Sequence, residues 1–257
     1  MNSPAIQCTA PYFNKLLVSI AAGIGLGFTA NAATLATNFD SLTTPALPSG
    51  WSAIGSGITT AANGNPTNNL EVAAGTTRYL VNSGTGLDAR SDFSGTFDFR
   101  LGGADDFYDN ISFWVGDLSS GLTTTAGDHF RVDLKRATFN RRASIYDATG
   151  NADENKLVNG DGNNAYSVSS NTWYSADFSW TASTGTFAIN WDNGNSTDLS
   201  FSGYSFNDNE VYFGFGTIQE EGRFDNINIT GTSYVVPEPS TALLGLIGLC
   251  LLLRRRR

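Results

Sequence analysis

The sequence predicts an all-β body, built as a two-sheet antiparallel sandwich and flanked by an apolar segment at each end. Three observations carry this. Apolar residues recur at every second position in run after run, the period of a strand with one buried face. Clusters of Gly, Ser, Asn and Asp separate these runs, as turns require. No stretch holds an amphipathic helical period for three turns, and the chain has 28 glycines but one methionine.

The N-terminal segment is set apart first. Lys15 precedes the apolar run LLVSIAAGIGLGF, after which TANAA places Ala30 and Ala32 in an A-x-A arrangement. This layout predicts a secretory signal over residues 1–32, helical in its apolar part and cut by signal peptidase between Ala32 and Ala33.

The body follows over residues 33–234. Phe93, Phe97, Phe99 and Leu101 share one predicted strand face. Phe130, Val132 and Leu134 share another, opposed by His129, Arg131, Asp133 and Lys135. Tyr174, Ala176, Phe178 and Trp180 align, as do Phe187, Ile189 and Trp191, then Val211, Phe213 and Phe215. Asp225, Ile227 and Ile229 are expected on one face of the last strand. TASTGT, DNGNS and FSGYSFND supply the turns between these later runs. Strands with one apolar and one polar face pack as two antiparallel sheets. No internal repeat or linker divides the body.

Charge and residue counts exclude whole classes of function. From Ala33 to Val236 the chain carries 23 acidic and 10 basic residues, a net charge of −13, which disfavours nucleic acid as a partner. Both cysteines, Cys8 and Cys250, lie in the end segments, so the body forms no disulfide. His129 is the only histidine, which argues against a histidine triad or a multi-histidine zinc site.

The C-terminal segment, residues 235–257, has a Pro237-Glu238-Pro239 triplet, an uncharged run from Thr241 to Leu253, then Arg254, Arg255, Arg256 and Arg257. As a helix, that run of 13 residues spans roughly 20 Å, short of a bilayer core of roughly 30 Å. The arginines belong on the cytoplasmic side. The triplet, apolar helix and arginine run, in that order, resemble the PEP-CTERM sorting signal of Gram-negative bacteria. The resemblance implies export through the inner membrane, transient anchoring there, recognition and removal of the tail by an exosortase, and a final place at the cell surface or in the extracellular matrix.

A second resemblance concerns the body. LATNFDSLTTPALPSGWSAIG is similar to the opening strand and turn of concanavalin A-like jelly rolls. DHFRVDLKRATFNRRASIYDATG resembles paired strands of laminin-G-like domains, and NTWYSADFSWTASTGTFAINWDNGNSTDLS their central meander. EGRFDNINIT resembles the closing strand, expected to return beside the first. A different two-sheet sandwich is the alternative.

No catalytic pattern is found. Glycosidases of this fold carry carboxylates at alternate positions of one strand face, close enough to act as nucleophile and acid. Asp208 and Glu210 have the spacing but stand at a strand entrance, where they read as solvated turn residues. There is no G-x-S-x-G. No enzyme activity is expected.

Two binding features remain. GGADDFYDN groups Asp105, Asp106, Asp109 and Asn110, a set of oxygen donors that could hold Ca²⁺; an ordinary polar loop is the alternative. Tyr108 adjoins this loop, and Trp114 alternates away from Ile111, Phe113 and Val115, so both are candidates for stacking on a sugar ring. Tyr212 likewise alternates away from Val211 and Phe213. The resulting expectation is an exported, non-catalytic surface or matrix protein that binds extracellular polysaccharide. Its net charge favours a neutral glycan, or an acidic one bridged by calcium. A structural matrix component without a ligand, and a hydrolase or lyase with an unrecognised site, are the alternatives.

Overall fold

The computed structural model describes residues 31–40, 42, 46–62, 68–72, 75–84, 86–102, 110–117, 129–135, 143–147, 156–160, 166, 168–192, 198–219 and 221–235. Both apolar end segments, with the expected terminal helices and the sorting signal, lie outside them.

Sixteen strands are described: β1 (Ala32–Thr37), β2 (Trp51–Ile54), β3 (Ile58–Ala62), β4 (Asn68–Val72), β5 (Gly75–Asn82), β6 (Leu87–Asp88), β7 (Phe93–Leu101), β8 (Asn110–Gly116), β9 (His129–Lys135), β10 (Ala143–Asp147), β11 (Lys156–Asn159), β12 (Trp173–Thr181), β13 (Thr186–Trp191), β14 (Leu199–Phe201), β15 (Glu210–Gln219) and β16 (Gly222–Thr232). They form two eight-stranded antiparallel sheets. The first runs β14-β13-β12-β7-β16-β4-β3, with β1 also on β16. The second runs β11-β10-β9-β8-β15-β5-β2, with β6 on β15. The closing strand does return beside the first: β1 pairs with β16 from Ala32↔Thr232 to Thr37↔Ile227.

The alternating residues meet between the sheets. Phe97, Phe99, Phe130, Phe178, Trp180, Ile189, Trp191 and Phe213, all expected in the core, are buried. Their rings interlock across the two layers. Phe178 of β12 lies 4.8 Å from Phe113 of β8, Phe187 of β13 lies 4.7 Å from Phe130 of β9, and Phe97 of β7 lies 5.1 Å from Phe113. Each such phenylalanine contributes on the order of 1.5–3 kcal/mol by leaving water, and tilted ring pairs add to that.

The last strand corrects one expectation. Asp225 stands opposite Asp98, while Asn228 stands opposite Thr96, so three steps on β16 match two on β7. This is a bulge, and Asn226 takes the left-handed conformation within it, φ 47°. The extra residue reverses the alternation: Phe224, Ile227 and Ile229 face the core, and Asp225 does not share their face. Strict period 2, assumed from the sequence, fails at that point.

Candidate functional site

A cleft of about 410 Å³ opens at one end of the sandwich. Three segments far apart in sequence line it: Ala89, Arg90 and Asp92 between β6 and β7; Trp180 with Ala182 and Ser183 at the β12–β13 turn; and Tyr204, Ser205, Phe206, Asp208 and Asn209 before β15. A smaller cleft of about 290 Å³ adjoins it, shares Asp208 and Asn209, and continues to Asp117, Glu210, Tyr212 and Tyr234.

Aromatic rings form the floor. Trp180 is fixed because its indole N–H donates to the Ala89 carbonyl at 3.1 Å, while its ring stacks on Phe93. Phe206 lies 5.0 Å from Trp180 and 5.2 Å from Tyr204. Tyr204 in turn meets Phe130 and Phe201 edge-on. Tyr204 and Phe206 are only half-buried, although both pack against the core. The backbone holds Tyr204 in position. Its amide donates to the Gly185 carbonyl at 3.1 Å, and the Gly203 amide donates to the Thr184 carbonyl. Gly185 has φ 57°, and a β-carbon there would collide with the Tyr204 carbonyl. Only glycine lets the β12–β13 turn dock so closely.

Polar groups form the rim. Asp92 accepts the Ala182 amide at 2.8 Å and is otherwise exposed. Asp88 and Arg90 make a two-pronged pair, Nε to Oδ1 at 2.8 Å and Nη2 to Oδ2 at 2.9 Å. The side-chain hydrogen bond from Arg90 holds the Asp88 carboxyl below its usual range. In the adjoining cleft, Glu210 accepts the Gly86 amide at 3.0 Å. Burial, then the Glu210 carboxylate, push the Tyr212 phenol up to about 12. Glu210 is thus a structural acceptor at the β6–β15 contact, where the sequence suggested only a solvated turn.

The same sandwich occurs in solved plant lectins. Peanut lectin with a nine-residue peptide is 16% identical, with a TM-score of 0.53 over 79% of this chain and 100% of that one. The winged bean acidic lectin complexed with methyl-α-D-galactose is 13% identical, TM-score 0.54, over 79% and 100%. Lectin I from Ulex europaeus in complex with the methyl glycoside of α-L-fucose is 13% identical, TM-score 0.53, over 79% and 99%. The fold is that of the legume lectins. It agrees with the concanavalin A-like jelly roll expected from the sequence. No family model and no curated protein matches the sequence.

Within this lectin fold the expected site residues are placed unevenly. Tyr108, Asp105, Asp106 and Asp109 lie outside the described residues. Asn110 opens β8, where it stands opposite Lys135 and Ile218. Among the described residues no group of three or more His, Cys, Asp or Glu side chains could hold a metal ion. Trp114 does leave the core face, as its alternation requires, but it is 2% exposed and so not open to a sugar. It packs with Val81, Ile54 and Tyr212 in a small second cluster. The register explains how: Gly214 stands between Val81 and Trp114, so no side chain separates them. Alternation assigns a face to a residue but does not say what lies over that face.

The cleft residues Tyr204, Phe206 and Asp92 were not singled out in the sequence. FSGYSFND reads as a turn, yet three aromatics in so polar a stretch were the available signal.

Proposed function

We propose that this is an exported, non-catalytic carbohydrate-binding protein whose sugar site is the end cleft. One observation carries the proposal: half-buried Tyr204 and Phe206, backed by fixed Trp180, sit beside the free carboxylate edge of Asp92 and the exposed Asp208 and Asn209. A pyranose needs both halves of such a site. Its C–H face stacks on aromatic rings, and its hydroxyls bond to carboxylate and amide groups at the edge. Three of the solved lectins of this fold are complexed with methyl-α-D-galactose, GalNAc and a methyl fucoside. Their identity to this chain is low, so they support the reading by fold.

The remaining elements of the reading come from the sequence. Residues 1–32 serve as the export signal, removed by signal peptidase. Residues 235–257 serve as the exosortase-read tail that anchors the chain transiently before it reaches the cell surface. Asp105, Asp106, Asp109 and Asn110 serve as a calcium support for Tyr108.

A glycan-array screen of the purified full chain, with and without calcium, tests the reading. Retention of a defined set of glycans is expected. Retention of none would leave a structural matrix component in its place.

A further inference from the structure

The smaller cleft repeats the make-up of the end cleft. Half-buried Tyr212 and Tyr234 wall it, as Tyr204 and Phe206 wall the other, and Asp117 and Glu210 supply carboxylates, as Asp92 does there. The exposed Asp208 and Asn209 line both, so the two clefts are one continuous groove with a shared middle.

The walls of the smaller cleft are held. Gly86 links two of them: its amide donates to Glu210 Oε1 at 3.0 Å, and its carbonyl accepts the Tyr234 amide at 3.0 Å. A β-carbon at Gly86 would meet the Glu210 side chain and lie 2.9 Å from the Val211 carbonyl, so this close approach needs glycine. Tyr212 packs against the buried Trp114–Val81 cluster. The Ala89 amide donates to the Asn209 carbonyl at 2.9 Å, which fixes the shared middle. Walls already in place lose little entropy when a ligand arrives.

The length and charge of the ligand follow. Tyr212 and Tyr234 line only the smaller cleft, so one sugar ring seated on Tyr204 and Phe206 leaves them uncovered. A second ring linked to the first would cover them. Being tethered, it incurs no second cost of association, and its stacking adds to affinity almost in full. Asp92, Asp117, Asp208 and Glu210 put four carboxylates along the groove. Arg90, at the rim, is committed to Asp88 in a two-pronged pair. The negative field reaches inside: burial first, then the carboxylates of Glu210 and Asp117, push the Tyr212 phenol up to about 12. A uronate would enter against like charge.

We propose that the two clefts act as one groove for a neutral oligosaccharide. One sugar unit lies on Tyr204 and Phe206, the next on Tyr212 and Tyr234, and Asp208 and Asn209 bond the hydroxyls beside the linkage. The proposal rests on the reading of the end cleft as a sugar site and names its ligand class, a neutral chain rather than a single sugar or an acidic polymer.

Titration calorimetry of the full chain tests this with glucose, galactose and mannose, each as the monomer and as the β-1,4-linked trimer. The best-binding trimer should bind tighter than its monomer by about tenfold or more. Tyr234→Ala should shrink that ratio toward one. Tyr212→Leu, which keeps an apolar side chain against Trp114, should do the same and serves if the first variant fails to fold. A ratio near one in the parent, or a ratio that both variants leave intact, would overturn the proposal. The same trimer with its C6 alcohols oxidised to carboxylates should bind more weakly, by a margin that closes as salt is added. Equal or tighter binding of the oxidised trimer would overturn the neutral assignment. Failure of the end-cleft reading looks different: it shows as binding that Tyr204→Ala leaves untouched, or as no binding of any probe, and it takes this proposal with it.

Discussion

Ala32, the first residue of β1, stands opposite Thr232, the last of β16, and the Ser233 amide donates to the Asn31 carbonyl at 2.9 Å. The expected signal cleavage between Ala32 and Ala33 therefore falls inside a paired strand. A protease needs that backbone extended and unpaired, and the pairing partner is the last strand of the body. Cleavage should precede closure of the fold. Purified full chain, once folded, should resist signal peptidase, and the same chain in denaturant should be cut on dilution into enzyme. Rapid cutting of the folded chain would show that β1 opens readily.

Trp114 separates core from site. Truncating a buried indole leaves a cavity, so Trp114→Ala should lower stability by roughly 3–5 kcal/mol. Tyr204 is half-buried, and Tyr204→Ala should cost far less. Urea denaturation of both variants checks the order. A Trp114→Ala protein as stable as the parent would mean that the ring is not packed as described.

Gly185 should tolerate no side chain. In Gly185→Ala the β-carbon meets the Tyr204 carbonyl at a left-handed φ. The expected loss is about 1–3 kcal/mol, with a further loss of sugar affinity because Tyr204 moves. Thermal melts and a binding isotherm of the variant give both numbers.

How far the sequence carried can be seen residue by residue. Phe97, Phe130 and Phe178 were legible because burial on one side of a strand leaves a period of two. Asn226 was not, because a bulge is set by the pairing of β16 with β7, which no local pattern encodes. Asp133 and Lys135 were assigned to the right face, but their burial was not foreseen, since what covers a polar face lies elsewhere in the chain. The cleft escaped for the same reason: Asp92, Trp180 and Tyr204 come together only when three distant turns meet at one end.

Tyr212 gives a prediction in pH. Its phenol ionises at about 12 in the folded chain, against 10.0 for an unperturbed tyrosine. Above pH 10 the unfolded chain gives up this proton first, so the stability that Tyr212 contributes falls as pH rises through that window. Ultraviolet titration should show a late phenolate that Tyr212→Phe removes. In Glu210→Gln its titration should move down toward the ordinary value but not reach it, because burial, the larger cause, remains.

Calcium is tested separately. If Asp105, Asp106, Asp109 and Asn110 hold it, calorimetry on the full chain should show calcium binding that disappears in Asp105→Ala/Asp109→Ala. Unchanged binding in that double variant would place the ion elsewhere, and no binding by the parent chain would remove calcium from the account.

The central claim is that sugar stacks on Tyr204 in the end cleft. The most direct test is titration of the best neutral glycan from the array into the full chain and into Tyr204→Ala. The account predicts an affinity lower by about tenfold, the value of one stacked ring, with a fall in melting temperature smaller than that of Trp114→Ala. An affinity equal to that of the parent would contradict it.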